Sequence, residues 1–417
     1  MLAAAPPARP VVGKGASLRD VAALLRVRGL RSLALAGLAV FFVSFDSAVL
    51  VLALPAISAD FRTSVPDISR VGSTLALGTL AGLPIAMQAD RVGRRKLLVL
   101  SVASFSLANL ASAWSPSLGW LAASRVVAAS FETVAAGTAT ALVIEEVTPG
   151  QRGLAVAAIT VAAGAGTGAT TLLYPLVAPD WRALYLLGGT GVLAAVVLAR
   201  LLPESRAWLT SVAAAGRAPR LPLRVLLEPP WRARVAVVAA SAALGLLLYE
   251  PAGLLSALFG SRQLGLTPAL ISAVTAVSGL ASVPAFFVGG RLSDRIGRRW
   301  LAVGLGVVTV AAAVLTFSGG IVGYWVGNVA WSVLASANAP VVGAWYGELF
   351  PTRARATSEA VGSVAGAVGG AAGFQLVAAL QPSLGLGGSL AVPAAAALVA
   401  AGLLLLLPET GGAPLQA

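Results

Sequence analysis

Apolar residues run along this chain in blocks of about 20, the length of helix that crosses the hydrocarbon core of a bilayer. Twelve such blocks centre near residues 45, 80, 104, 131, 164, 192, 246, 279, 309, 333, 368 and 397, separated by shorter polar connections. None shows the period-two alternation of an outer-membrane barrel strand, and the frequent Gly and Pro are tolerated in membrane helices. The pattern predicts an all-α polytopic membrane protein with twelve transmembrane helices.

Composition sharpens the picture. The 417 residues are 58% hydrophobic and 11% charged, against roughly 45–50% and 25% in soluble domains. With no Cys and no His, disulfides, thiol chemistry and imidazole metal sites are excluded, so any proton traffic falls to carboxylates. Neither a metal nor a cofactor is expected. The net charge of +13 reflects topology rather than nucleic-acid binding. Of 29 Lys and Arg, 24 fall in alternate connections counted from the N-terminus, four (Arg62, Arg70, Arg182, Arg262) in the opposite connections, and Arg125 inside a helix. By the positive-inside rule both termini are cytoplasmic. The first apolar run is long, is preceded by about 30 residues and lacks a small-residue cleavage site, so a removable signal peptide is not expected.

The halves of the chain repeat. "DRVGRRK" from Asp90 returns as "DRIGRRW" from Asp294, 204 residues on; "EVTP" from Glu146 returns as "ELFP" from Glu348, 202 on; "PES" from Pro203 returns as "PET" from Pro408, 205 on. One near-constant offset implies two six-helix units with the same membrane orientation, a parallel repeat. The expected organisation is a cytoplasmic tail over 1–32, six-helix halves over 33–202 and 233–407, a Pro-rich cytoplasmic linker over 203–232, and a short tail over 408–417. Within the first tail, residues 1–16 are Ala/Pro-rich and predicted disordered. The segment "SLRDVAALLRVRGLRS" (17–32) reads either as a helix lying on the inner membrane surface or as a solvated basic tail.

These motifs resemble the major facilitator superfamily of secondary transporters, from the first helix to Thr410. The loop signature G-x-L-x-D-R-x-G-R-R is met in the second half by Gly290, Leu292, Asp294, Arg295, Gly297, Arg298 and Arg299. The first half keeps Asp90, Arg91, Gly93, Arg94 and Arg95, with Ala86 and Gln88 in place of Gly and Leu. "PESRAWL" and "LLPETGG" are similar to sugar-porter segments, "YGELFPTRARATSEAVG" to metabolite symporters and "FDSAVLVLALPAISADF" to the first helix of aromatic-acid symporters. Two departures stand out. Ala367 occupies a position before Gly369 and Gly370 where these relatives often carry Arg, and the fifth helix lacks the Gly-Pro pair of drug antiporters. The i,i+4 spacing of Asp90 with Arg94 and of Asp294 with Arg298 brackets a Gly suited to positive φ, so each cluster can hold charges at a cytoplasmic seam. The resemblance implies that these charges latch the outward-open state, with Glu146, Arg152, Glu204, Glu348, Arg355 and Glu409 completing the network. Isolated ion pairs of this kind contribute about 0.2–1 kcal/mol, enough in number to bias an equilibrium.

Four ionisable residues lie within predicted helices: Asp46, Arg125, Glu132 and Glu250. A charge at a helix centre costs about 2.5–3.5 kcal/mol even on permissive scales, so such groups face a cavity and pair with one another. Asp46 and Glu250 are 204 residues apart and so occupy equivalent places in the two halves. Arg125 and Glu132, seven residues apart, share one face of the fourth helix at about 10 Å along its axis. Arg125 is placed to neutralise Asp46 or Glu250, or to bind an anionic substrate through its planar fork. Each carboxylate reads either as a proton carrier or as half of a static pair. For Glu250 the following Pro251 offers a further alternative, the capping of a broken helix. The resemblance puts helices 1, 4, 7 and 10 around a central cavity, which makes Trp325, Asn328, Trp331 and Asn338 of helix 10 ligand or packing candidates, with Gln375 and Asn109 as weaker ones. The glycines of "GSVAGAVGGAAG" (362–373) read as helix-packing surface, with no P-loop spacing.

The expected function is secondary active transport of a small organic solute, such as a carboxylate or sugar-like molecule, by alternating access with proton symport. Asp46 is the first choice of proton carrier, Glu132 the second and Glu250 a further candidate, with Arg125 as binding or counter-charge residue. Proton-coupled efflux of drugs or metabolites is the alternative, and a non-transporting receptor or sensor a more distant one. An enzyme is disfavoured because no catalytic dyad stands out at membrane depth. The expected setting is a functional monomer in the lipid bilayer of a bacterial cell membrane, because Arg-rich, Ala- and Gly-rich usage points to a GC-rich bacterial genome.

Overall fold

The computed structural model describes residues 29–147, 152–205, 208–210, 226–229, 231–351 and 354–411, without the side chains of Asp90, Arg91, Arg152 and Ala356. Of the segment 17–32, residues 17–28 lie outside the described set, while Gly29–Ser32 begin the first membrane helix instead of a surface tail. Most of the 203–232 linker also lies outside it.

Among the described residues twelve long helices follow one another: α1 Gly29–Asp60, α2 Val65–Ala86, α3 Arg94–Ala113, α4 Leu118–Glu146, α5 Arg152–Val177, α6 Trp181–Leu201, α7 Trp231–Arg262, α8 Pro268–Ile296, α9 Arg298–Ser318, α10 Gly320–Leu349, α11 Arg355–Ser389 and α12 Ala391–Leu406. Each predicted apolar centre falls inside one of them. Ten are long and apolar enough to span a membrane. The other two are α10, 30 residues long but diluted by Trp, Asn and Gly, and the shorter α12. Local signals set the starts. Ser64 and Asp67 form a reciprocal capping box at α2, Ser117 accepts from the Trp120 amide at α4, and Thr267 accepts from the Leu270 amide at α8. Each cap satisfies a helix N–H that would otherwise lack an acceptor.

Helices pair mainly within halves, α1 with α5 and α7 with α11, and across them α2 packs on α11. The glycines of α11 act as packing surface: a Cβ on Gly369 would lie 2.0 Å from the Ala243 carbonyl oxygen of α7, and one on Gly373 would lie 2.1 Å from that of Leu247. Small residues let backbones approach where lipid offers no hydrophobic drive for association.

Successive antiparallel crossings bring Gly29 and Leu406 to one end, termed here the terminal end. At the opposite, distal end, Val49, Leu52 and Ile68 of the first half belong to the same buried cluster as Leu255, Leu258 and Phe259 of the second. Arg262 of α7 crosses between halves there, donating to the Ser58 hydroxyl at 2.7 Å and the Thr63 carbonyl at 3.1 Å. Toward the terminal end the cores part. One cluster runs from Leu35 to Leu202 within the first half, the other from Leu226 to Leu407 within the second.

Candidate functional site

A cavity of about 580 Å³ lies between the halves, lined by residues of α1, α2, α4, α7 and α11. Asp46, Arg125, Glu132 and Glu250 all line it, so the four intramembrane charges picked out by cost alone converge on one space. The expected helix set is corrected in one respect. Helix α10 contributes no lining residue, and α2 and α11 take its place through Gly72, Thr79, Ala367 and Phe374, among others.

In the first half the charges form a closed network. Asp46 is 2% exposed and Arg125 3%. The guanidinium forks onto the carboxylate, Nη1 to Oδ1 at 2.7 Å and Nη2 to Oδ2 at 2.8 Å. Nη1 also donates to Asn109 Oδ1 of α3 at 2.8 Å, and the guanidinium carbon lies 4.9 Å from the centre of the Tyr185 ring of α6. Glu132 stands further off, 3.7 Å from Arg125 Nη2, and accepts from Ser47 Oγ at 3.3 Å. Bidentate geometry and the additional bond to Asn109 offset the cost of burying such a pair. Of the two acidic partners expected for Arg125, Asp46 and Glu250, it is Asp46 that it bonds.

In the second half Glu250 is alone. It is exposed into the cavity and, among the described residues, makes no hydrogen bond or ion pair. Helix α7 runs through Pro251 without ending, so Glu250 caps no broken helix. Its stem packs over Gly370, where a Cβ would come within 2.8 Å of Glu250 Cγ. Beside it Tyr249 lines the cavity with its ring stacked on Trp331, centroids 6.2 Å apart. Trp331 thus supports the wall from behind. Asn328 is bonded to Ser256 and to the Tyr324 carbonyl, Asn338 has a buried, unpartnered Oδ1 and Gln375 is exposed. None of these four lines the cavity. Tyr249, adjacent to the matched Glu250, and Phe374 of α11 are lining aromatics that sequence reasoning missed.

At the terminal end the loop motifs build two matching clusters. Gly93 and Gly297 both take φ +103°, open to glycine and strained for other residues. Their missing side chains also admit a carboxylate, since a Cβ would meet Glu204 Oε2 at 2.5 Å and Glu409 Oε2 at 2.8 Å. Glu204 accepts the Arg95 amide at 3.0 Å. Glu409 accepts the amides of Arg298 (2.8 Å), Arg299 (2.9 Å), Thr410 and Gly411. Burial pushes the Glu409 carboxyl up, but these four N–H donors together hold it below the usual carboxylate range.

Arg298 bonds Asp294 at 2.7 Å and Glu348 at 3.2 Å, and Arg94 bonds Glu145 at 3.0 Å. Glu145 therefore takes the place that "EVTP" and "ELFP" alignment gives to Glu146. The true offset is 203 because the two segments differ by one residue in length. Each of these bonds closes within its own half, where a seam between halves was expected. Arg355 bonds the Phe350 carbonyl at 3.2 Å, and Arg295 is exposed. Helix α8 carries its motif on a continuous helix to Ile296, whereas α2 stops at Ala86, where Ala86 and Gln88 depart from the signature. The side chains of Asp90, Arg91 and Arg152 lie outside the described set.

A second cavity, about 390 Å³, shares Ser363 with the first and continues toward the terminal end past Ala242, Val238 and Tyr346. All of its lining belongs to the second half, to α7, α11 and α10 with its C-cap Phe350. The halves thus share a core distally and keep separate cores terminally.

Residues 36–259 and 251–416 match the sequence profile of the Major Facilitator Superfamily. The putative niacin/nicotinamide transporter NiaP of Bacillus subtilis is 25% identical over 84% of this chain and 88% of its own. The probable 4-methylmuconolactone transporter of Cupriavidus pinatubonensis is 26% identical over 89% of each. Among solved structures, the D-xylose-proton symporter superposes with a TM-score of 0.73 at 17% identity, covering 92% of this chain and 99% of that one. An inward-facing bacterial homolog of the lysosomal transporter Spinster gives 0.71 at 17% identity, covering 91% and 96%.

Proposed function

Because the chain belongs to the Major Facilitator Superfamily, we propose that it carries a small organic solute through the cavity by alternating access, coupled to proton symport. The observation that supports this best is the arrangement of one guanidinium against two unequal carboxylates at the cavity wall. Asp46 is sealed by two short bonds, its side chain 1% exposed, while Glu132 is 14% exposed and only loosely held by Arg125. Glu132 is therefore the better proton carrier of the two. A proton on Glu132 leaves Asp46 and Arg125 as a neutral pair. Loss of that proton gives Arg125 a second anion to hold and draws α1 and α4 together through Ser47.

The charge bias of the loops supports cytoplasmic termini in a bacterial cell membrane. With that orientation the end where the two halves keep separate cores faces the cytoplasm, which supports an inward-facing reading of this conformation. The separation of the inner cores and the bonds of Arg262 to Ser58 and Thr63 support a rocking motion that exchanges the open end. The two halves together enclose one cavity, so the monomer suffices as the working unit.

Purified protein in proteoliposomes tests the reading. An acidic exterior should drive accumulation of a transported solute, and Glu132→Gln should abolish gradient-driven uptake while sparing counterflow exchange. Extrusion against the gradient would replace symport with antiport. Uptake indifferent to the gradient would remove proton coupling altogether.

A further inference from the structure

Resting on the transport reading of this cavity, we infer that it takes an organic cation, an ammonium or a quaternised ring nitrogen, and rejects carboxylates. Three carboxylates, Asp46, Glu132 and Glu250, face the cavity against a single guanidinium. With one of the three protonated the lining still carries net negative charge. An incoming anion finds no free positive group. Both terminal nitrogens of Arg125 are bonded to Asp46, Nη1 also to Asn109, and the side chain is 3% exposed. The second half adds no cation to the lining, and its α11 wall there is the small apolar Ala367.

An incoming cation finds two complementary features. Glu250 projects its charge into the space without a partner, and the Tyr249 ring beside it is held by stacking on Trp331. A carboxylate next to an aromatic face is the recurrent recognition chemistry of ammonium groups, in which the ring quadrupole adds to the ion pair. Leu246, Leu254 and Phe374 supply apolar wall for the rest of the molecule. The opposition between Asp46 and Glu250 thus has a use: one carboxylate fixes the protein's own cation, the other is left for the solute's.

Isothermal titration of the purified full-length protein with a charge series on one ring tests this, using 1-methylnicotinamide (cation), nicotinamide (neutral) and nicotinate (anion), with benzyltrimethylammonium and benzoate as a second pair. Both cations should bind at least tenfold more tightly than nicotinamide, and both anions more weakly. Glu250→Gln, which keeps the volume, should cost the cations tenfold or more and leave nicotinamide unchanged. Ala367→Arg should invert the order. Tightest binding by an anion, equal binding across the series, or no binding of either cation would overturn the inference. Liposome uptake separates it from the transport reading. Accumulated nicotinate would leave transport standing without cation selection, whereas bound cations with no solute movement would leave selection standing without transport.

Discussion

Asp46 and Glu250 occupy matching places in the two halves, yet their surroundings differ as much as those of two carboxylates in one cavity can. Asp46 lies under the fork of Arg125, with Asn109 and Tyr185 completing the enclosure. Glu250 sits over a glycine with no partner. The repeat explains why both helices carry a carboxylate, and the surroundings decide what each can do. A charge already compensated by the protein holds helices together, and one left uncompensated at a cavity wall is available to a ligand. Duplication supplied two similar sites, and the helix 4 arginine separated their roles.

The strongest way to break that comparison is to remove the compensation. Arg125→Leu strands Asp46 as a buried, unpaired charge and should cost about 3–5 kcal/mol, read as a large drop in thermal stability in detergent. Adding Asp46→Leu to that variant should restore most of it, because exchanging a whole pair for apolar groups is often near neutral. Gly369→Ala tests the packing of α11 on α7, the helix that carries Glu250. Its Cβ would sit 2.0 Å from the Ala243 carbonyl, and forcing α7 from α11 should cost about 1–3 kcal/mol.

Glu250→Gln should change stability by less than about 0.5 kcal/mol, the range of substitutions away from stabilising features. A loss as large as that of Arg125→Leu would mean that Glu250 is structural after all and the two halves are alike. The smallest effect concerns the terminal clusters. A carboxyl held below its unfolded value of about 4.3 adds stability that is fully present above that pH and is lost as pH falls through its lower folded value. Acidification below pH ~4 should therefore speed amide exchange at Arg298, Arg299, Thr410 and Gly411, beyond the intrinsic change measured on unstructured residues of the same chain. Glu409→Gln should give that faster exchange at neutral pH.

Much of this molecule is readable without coordinates. The twelve helices follow from apolar blocks of bilayer length, and the repeat offset finds both glycine turns and the pairing of Asp46 with Glu250. The energetic penalty for charge in hydrocarbon is steep enough that four residues stood out as one site, and all four do line one cavity. Other features were hidden for identifiable reasons. Glu145 and Glu146 are adjacent, and a one-residue difference in segment length hides from motif alignment that Glu145 is a partner of Arg94. The polar residues of α10 look like a binding surface, but the rotation of that helix turns Asn328 toward Ser256 and places Trp331 behind Tyr249.

Sequence alone determined the helix count, the twofold repeat, the positive-φ turns and the identity of the intramembrane charges. These depend on local periodicity, on sterics at single residues and on the cost of burying charge, all of which act through residue type. Only the tertiary structure decided which carboxylate Arg125 takes, which helices face the cavity and at which end the halves share a core. Those outcomes depend on helix rotation and on separations of a few ångströms between residues 16 to 204 positions apart. The spacing of residues along the chain does not encode such distances, and it is distance that separates a sealed ion pair from a carboxylate left open to the cavity.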